Sequence, residues 1–99
     1  MKYVVIFKAH INILDDEYFQ TAKILREKAL NHFNCQKFEA ISEQAFEIAL
    51  SYWNSLDDIQ AWKKDAEHIV AQQQGNTRWY EGYSVEICEI HHQYSKNLL

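Results

Sequence analysis

The residues of this sequence that can do chemistry gather between Tyr52 and Tyr83. His68 lies there, and because an imidazole titrates near neutral pH it is the natural candidate for a general base. All three tryptophans share the stretch, as Trp53, Trp62 and Trp79, with Tyr80 directly after the last. Such side chains can wall a flat aromatic ligand and offer it N–H or O–H donors, while Asn54 and Arg78 can orient what is bound. Each also has a structural reading. His68 next to Glu67 suits a polar helix face, Trp53 and Trp62 suit a core or a subunit interface, and Trp79 and Tyr80 can simply begin a strand.

A metal is not expected. No Cys-x-x-Cys or His-x-x-x-His spacing occurs. His91 and His92, as strand neighbours, point to opposite faces, and Cys88 with His92 shares a face only near a chain end. Cys35 and Cys88 are read as two free thiols of a reducing compartment.

The elements that position these groups follow from the apolar pattern. Lys2 to His10 reads as a strand with Tyr3, Val5, Phe7 and Ala9 on one face and Val4 and Ile6 on the other, so it is covered on both sides. Asp15 or Asp16 is placed to cap a helix over about residues 16–32, whose stripe is Tyr18, Ala22, Leu25, Ala29 and Phe33. Cys35 to Ser42 suits an edge strand, and Ser42-Glu43-Gln44 a turn. Phe46, Ile48, Leu50 and Tyr52 then alternate with Glu47, Ala49, Ser51 and Trp53, the clearest strand of the chain. The second set is small until Trp53, which leaves room for a cavity beside the indole.

Ser55-Leu56-Asp57-Asp58 has the form of a capping box and opens a second helix, with Ile59, Trp62, Ala66, Ile69 and Val70 on its apolar side. It runs to about residue 73, and Gly75 suits its left-handed end. Six residues at about 100° each turn His68 some 120° away from Trp62 in a straight helix. Both line one pocket only if the helix bends, with Asp65 capping a second segment. A last strand runs from Trp79 or Tyr80 to about Ile90, with Tyr83, Val85 and Ile87 on one face.

Strand, helix, strand, strand, helix, strand is the ferredoxin-like α+β arrangement, with both helices on one face of an antiparallel sheet. Its other face then lacks a cover, and Val4, Ile6 and Trp53 are expected there, facing water in a single copy. Hydrophobic residues make up 47% and aromatics 14% of the 99 residues, more rigid apolar surface than a chain of this size hides. A homodimer joined sheet to sheet is therefore expected. The chain is read as one domain over 1–99, with an ordered core of about residues 2–92. A net charge of -4 with scattered Lys and Arg argues against nucleic acid, and against an RNA-binding version of this fold. The apolar run from Met1 to Phe7 stops at Lys8, too short for a membrane span and without a small-residue cleavage site, so the cytoplasm is expected and the membrane is not.

Tyr52-Trp53, Ile59, Ala61-Trp62-Lys63, Glu67-His68, Ala71-Gln72 and Trp79-Tyr80 together resemble the antibiotic biosynthesis monooxygenase-like family over nearly the whole chain. The resemblance implies a dimeric α+β barrel. It also implies oxidation of a small aromatic or other hydrophobic molecule, quinone-forming or polyketide-like, without metal, flavin or other cofactor. In that chemistry a base, here His68, takes a proton from the substrate and the resulting anion reduces dioxygen, while Trp53, Asn54, Trp62, Arg78, Trp79 and Tyr80 surround it. A non-catalytic barrel that only binds a small molecule is the alternative. The family's haem-degrading branch is a further one, pairing an Asn on the first strand with a Trp and an axial His on the second helix. Trp62 matches that Trp, whereas Phe7 and Gln72 stand where the Asn and the His belong.

Overall fold

The computed structural model describes residues 1–12, 15–72 and 79–98, with the backbone alone at 71 and 72. Six elements follow one another: β1 (Tyr3–Ile11), α1 (Asp16–His32), β2 (Lys37–Glu43), β3 (Phe46–Trp53), α2 (Leu56–Gln72) and β4 (Tyr80–Glu89). The strands form one antiparallel sheet in the order β2-β3-β1-β4. This is the ferredoxin-like α+β fold that the order of elements predicts.

Local chemistry accounts for the boundaries. Asp15 caps α1 by accepting the Tyr18 backbone N–H at 2.8 Å, and Asp16 and Glu17 complement the positive end of the helix. The helix ends at His32 with Phe33 as its C-cap, and Asn34 beyond it takes a left-handed φ of 63°, a conformation Asn tolerates better than most residues. Cys35 then returns its backbone N–H to the Ala29 carbonyl at 3.0 Å. Ser55 caps α2 through Asp58 N at 3.3 Å. Helix α2 then runs without interruption past Asp65. Asp65 therefore caps no second segment; its carboxylate instead meets Lys28 Nζ at 3.0 Å and ties α2 to α1. The two outer ladders reach one residue beyond expectation, to Ile11 in β1 and Glu43 in β2, while β2 begins at Lys37 and not at Cys35. The helix end expected at Gly75 lies outside the described residues.

Cross-strand register separates the two faces. Tyr3 pairs with Trp53, Val5 with Ser51, Phe7 with Ala49 and Ala9 with Glu47, and paired residues share a face. That face meets the helices. It holds two buried clusters, one of Val5, Ala29, Cys35, Trp53 and Ile59, the other of Ala9, Ile11, Tyr18 and Trp79. Trp53 is thus fully buried beneath the helices and does not face water as expected. The alternation that puts Glu47, Ala49 and Ser51 inward carries Trp53 with them, and Trp62 packs against that indole.

Val4, Ile6, Ile48, Leu50 and Tyr52 lie on the other face, which neither helix covers. Ile41, on the same face of β2, is 71% exposed. Among the described residues no helix is long and apolar enough to cross a membrane.

Candidate functional site

The structure divides the expected aromatic wall into two parts. Trp53 and Trp62 pack together with ring centroids 5.5 Å apart. Trp53 Nε1 donates to Ser51 Oγ at 2.8 Å, and Trp62 Nε1 donates to the Leu25 carbonyl at 3.1 Å. Both indole N–H groups are thereby engaged within the fold. Asn54 is exposed where β3 hands over to α2. His68 is exposed as well, on the part of unbroken α2 that the helical twist turns away from Trp62. The bend that would have brought the imidazole to the tryptophans does not occur. Arg78 lies outside the described residues.

Trp79 and Tyr80 sit at the other end of the sheet, in the second cluster. Trp79 is buried against Tyr18, their rings 5.6 Å apart and nearly perpendicular, and its carbonyl receives the Asn12 N–H at 2.5 Å. Tyr80 meets Phe7 edge-on at 5.7 Å and Tyr83 at 5.7 Å, while Phe7 and Tyr83 stack at 5.9 Å. Edge-to-face and offset pairs of this kind each stabilise by about 0.5–1.5 kcal/mol beyond area burial. Five rings, from β1, α1, β4 and the turn residue Trp79 before β4, thus converge on one region.

One carboxylate enters that aromatic surround. Glu47 projects from the helix-facing side of β3, opposite Ala9 on β1 and Ser42 on β2. Its Oε2 accepts a hydrogen bond from the Tyr18 hydroxyl. Burial pushes the Glu47 carboxyl above the ordinary carboxylate range, since a charge in apolar surroundings loses its hydration. Burial, then the Glu47 charge, then Tyr83, push the Tyr80 phenol up to about 12, so it stays a protonated donor at neutral pH. Sequence reasoning passed over Glu47, Tyr18 and Tyr83. A signal was there, because the β3 alternation puts an acid on the same side as Trp53.

Beside this group the sheet is open. Tyr83, Val85 and Ile87 lie on the helix-facing side of β4, yet they are 58%, 42% and 46% exposed, since the helices leave this edge strand bare. An apolar shelf therefore leads from solvent to Phe7, Tyr80 and Glu47. Two shallow hollows lie on the surface. One of about 230 Å³ lies between Lys8, Ala9, His10, Phe46, Gly82, Tyr83 and Ser84, bordering the shelf at Tyr83, and another follows Gln60, Lys63, Lys64 and Glu67 on the polar side of α2. Neither reaches a tryptophan. Among the described residues no cluster of three or more His, Cys, Asp or Glu is placed to hold a metal.

Comparison with known proteins narrows the class. No protein-family model matches the chain. The uncharacterized protein YqjZ of Bacillus subtilis is 32% identical over 92 residues, covering 92% of this chain and 81% of that protein. Among solved structures, a variant of SnoaB, a cofactor-independent oxygenase from Streptomyces nogalater, superposes with a TM-score of 0.76 at 5% identity, over 96% of this chain and 98% of that one. A putative antibiotic biosynthesis monooxygenase from Chloroflexus aurantiacus superposes with a TM-score of 0.58 at 14% identity, over 94% and 98%. At such identities the structural likeness concerns the fold, a ferredoxin-like α+β sandwich. Within that fold, the chain belongs to the same family as YqjZ.

Proposed function

We propose that the protein is a cofactor-independent monooxygenase of a small planar aromatic molecule, phenolic and quinone-forming, and that it works as a homodimer. The observation that carries this reading is the uncovered shelf of Tyr83, Val85 and Ile87 leading to the rings of Phe7 and Tyr80. Aromatic floors with a few polar groups at one end suit flat ligands, whose apolar body is desolvated while a hydroxyl is oriented. SnoaB, alike in fold, is a cofactor-independent oxygenase. In that chemistry the substrate supplies the electrons, so the protein needs a proton acceptor, donors to an oxyanion and a dry surface.

Phe7 speaks against haem degradation. Where the haem-degrading pattern places an Asn, this chain puts a ring that stacks on Tyr83 and offers no hydrogen bond. His68 is not retained as the base, because its exposure denies it the dry surroundings the role needs.

The homodimer is supported by the bare face of Val4, Ile6, Ile41, Ile48 and Leu50. Burying apolar surface gains about 25 cal/mol per Å², and a second copy offers the same surface in return. A cytoplasmic location is supported by the free thiols Cys35 and Cys88.

Oxygen uptake with anthrone-type phenols, without added metal or flavin, tests the reading. Uptake with such a phenol is the expected result. Binding without uptake would make the protein a small-molecule-binding barrel, and uptake with haem alone would replace the proposal by haem degradation.

A further inference from the structure

We propose that Glu47 is the proton acceptor of this site, with Tyr18 holding its carboxylate and Tyr80 donating to the ligand oxygen that becomes anionic. The inference rests on the aromatic-ligand reading above and assigns a catalytic residue that the motif pattern does not contain.

Three observations converge on it. Glu47 is the one carboxylate among the described residues that projects into the ring cluster, on the same face as Phe7, Tyr80 and Tyr83. Its Oε2 is engaged by Tyr18, and a carboxylate has acceptor capacity on both oxygens, which leaves Oε1 for a ligand hydroxyl. A bond from Tyr18 also fixes the rotamer, and a base held in one orientation is what proton transfer requires. The groups facing Glu47 are Tyr18 from α1, Tyr80 from β4, Ala9 from β1 and Ser42 from β2. Among these described neighbours none is a cation that would hold the carboxylate's basicity down.

The step is a single proton transfer. The O–H bond of a bound phenol or enol breaks, the proton forms a bond with Glu47 Oε1, and the electron pair stays on the ligand oxygen. Tyr80, protonated at neutral pH, stabilises that oxyanion by hydrogen bonding. Partial burial raises the proton affinity of Glu47 toward that of an acidic phenol, which brings donor and acceptor closer in strength.

Calorimetric titration of the full chain with 1-naphthol and with 1-methoxynaphthalene isolates the hydroxyl. At about pH 8 the wild-type protein is expected to bind the naphthol on the order of tenfold more tightly than its methyl ether, the scale of one hydrogen bond to a charged acceptor. Glu47→Gln, which still accepts the Tyr18 bond, should reduce that preference to about twofold or less while leaving the ether's affinity unchanged. Glu47→Asp should retain part of the preference, and a purely structural role would move both ligands together. An unaltered preference in Glu47→Gln, or no binding of either compound by the wild type, overturns the proposal. Oxygen uptake separates the two readings. Uptake that persists undiminished in Glu47→Gln removes Glu47 and leaves the oxygenase standing. A Glu47-dependent preference without uptake from any phenol does the reverse.

Discussion

The indoles of Trp53 and Trp62 meet 5.5 Å apart at a tilt of 40°, one from the end of β3 and one from the second turn of α2. This pair joins sheet to helix. Their N–H groups are held by Ser51 and by the Leu25 carbonyl of α1, so the tryptophans named as ligand contacts serve first as a three-element joint.

Trp53→Ala is therefore expected to cost about 3–5 kcal/mol of folding stability, the usual range for deleting a large buried aromatic. Trp62→Phe keeps most of the volume and loses the indole bond to the Leu25 carbonyl, which retains its bond within α1, and should cost roughly 0.5–1.5 kcal/mol. Urea unfolding followed by far-UV circular dichroism measures both. Losses below about 0.5 kcal/mol, typical of surface positions, would show that the pair is not part of the core.

Glu47 makes stability pH-dependent in a stated direction. Its folded pKa is raised above the ordinary 4.5 by burial, so the folded state holds this proton more tightly than the unfolded chain does. The stabilising contribution is complete below the unfolded pKa and is lost as pH rises through the folded one. Relative to Glu47→Gln, the wild type should thus lose melting temperature as pH rises from the unfolded carboxylate range through the raised folded pKa. A difference that stays flat, or one that grows with pH, contradicts the burial of this carboxyl.

Leu50 sits near the centre of the uncovered face, paired with Ile6 on one side and Glu39 on the other. Leu50→Lys places a charge where two copies would join and leaves the helix-facing core untouched. Sedimentation at micromolar concentration should show a dimer for the wild type and a single copy for the variant, with the same circular dichroism. A wild type that sediments as one copy would remove the homodimer.

His68→Ala tests exposure directly. An exposed side chain outside the site should change stability by no more than about 0.5 kcal/mol and oxygen uptake by no more than about twofold. A loss of a hundredfold in uptake, measured on folded protein, would restore His68 as the base.

The Tyr80 phenol, pushed up to about 12, should titrate late. An absorbance titration of the native protein is expected to contain one tyrosine that ionises above the ordinary range near 10, and Tyr80→Phe should remove it. No late component in the wild type would mean that Tyr80 is freely solvated.

Element order, both helix starts and the alternation within each strand were legible in the residues themselves, because they depend on local spacing. Asp15 and Ser55 cap where their positions predict, and the period-two alternation of β3 gives its two faces correctly. Which face meets the helices is a different matter. Alternation alone says that Leu50 and Trp53 point to opposite sides, but not which side is covered. That depends on where α1 and α2 settle, and they settle over Trp53.

The site followed the same division. From the sequence came the fold, the candidates Trp79 and Tyr80, and the 120° between Trp62 and His68 in a straight helix. Only the tertiary structure could bring Glu47 to Tyr18, which are 29 residues apart, and to Tyr80 at the far end of the chain. The physical reason is that a side chain's acidity and usefulness depend on what surrounds it in space, and those neighbours are set by long-range packing, not by spacing along the chain.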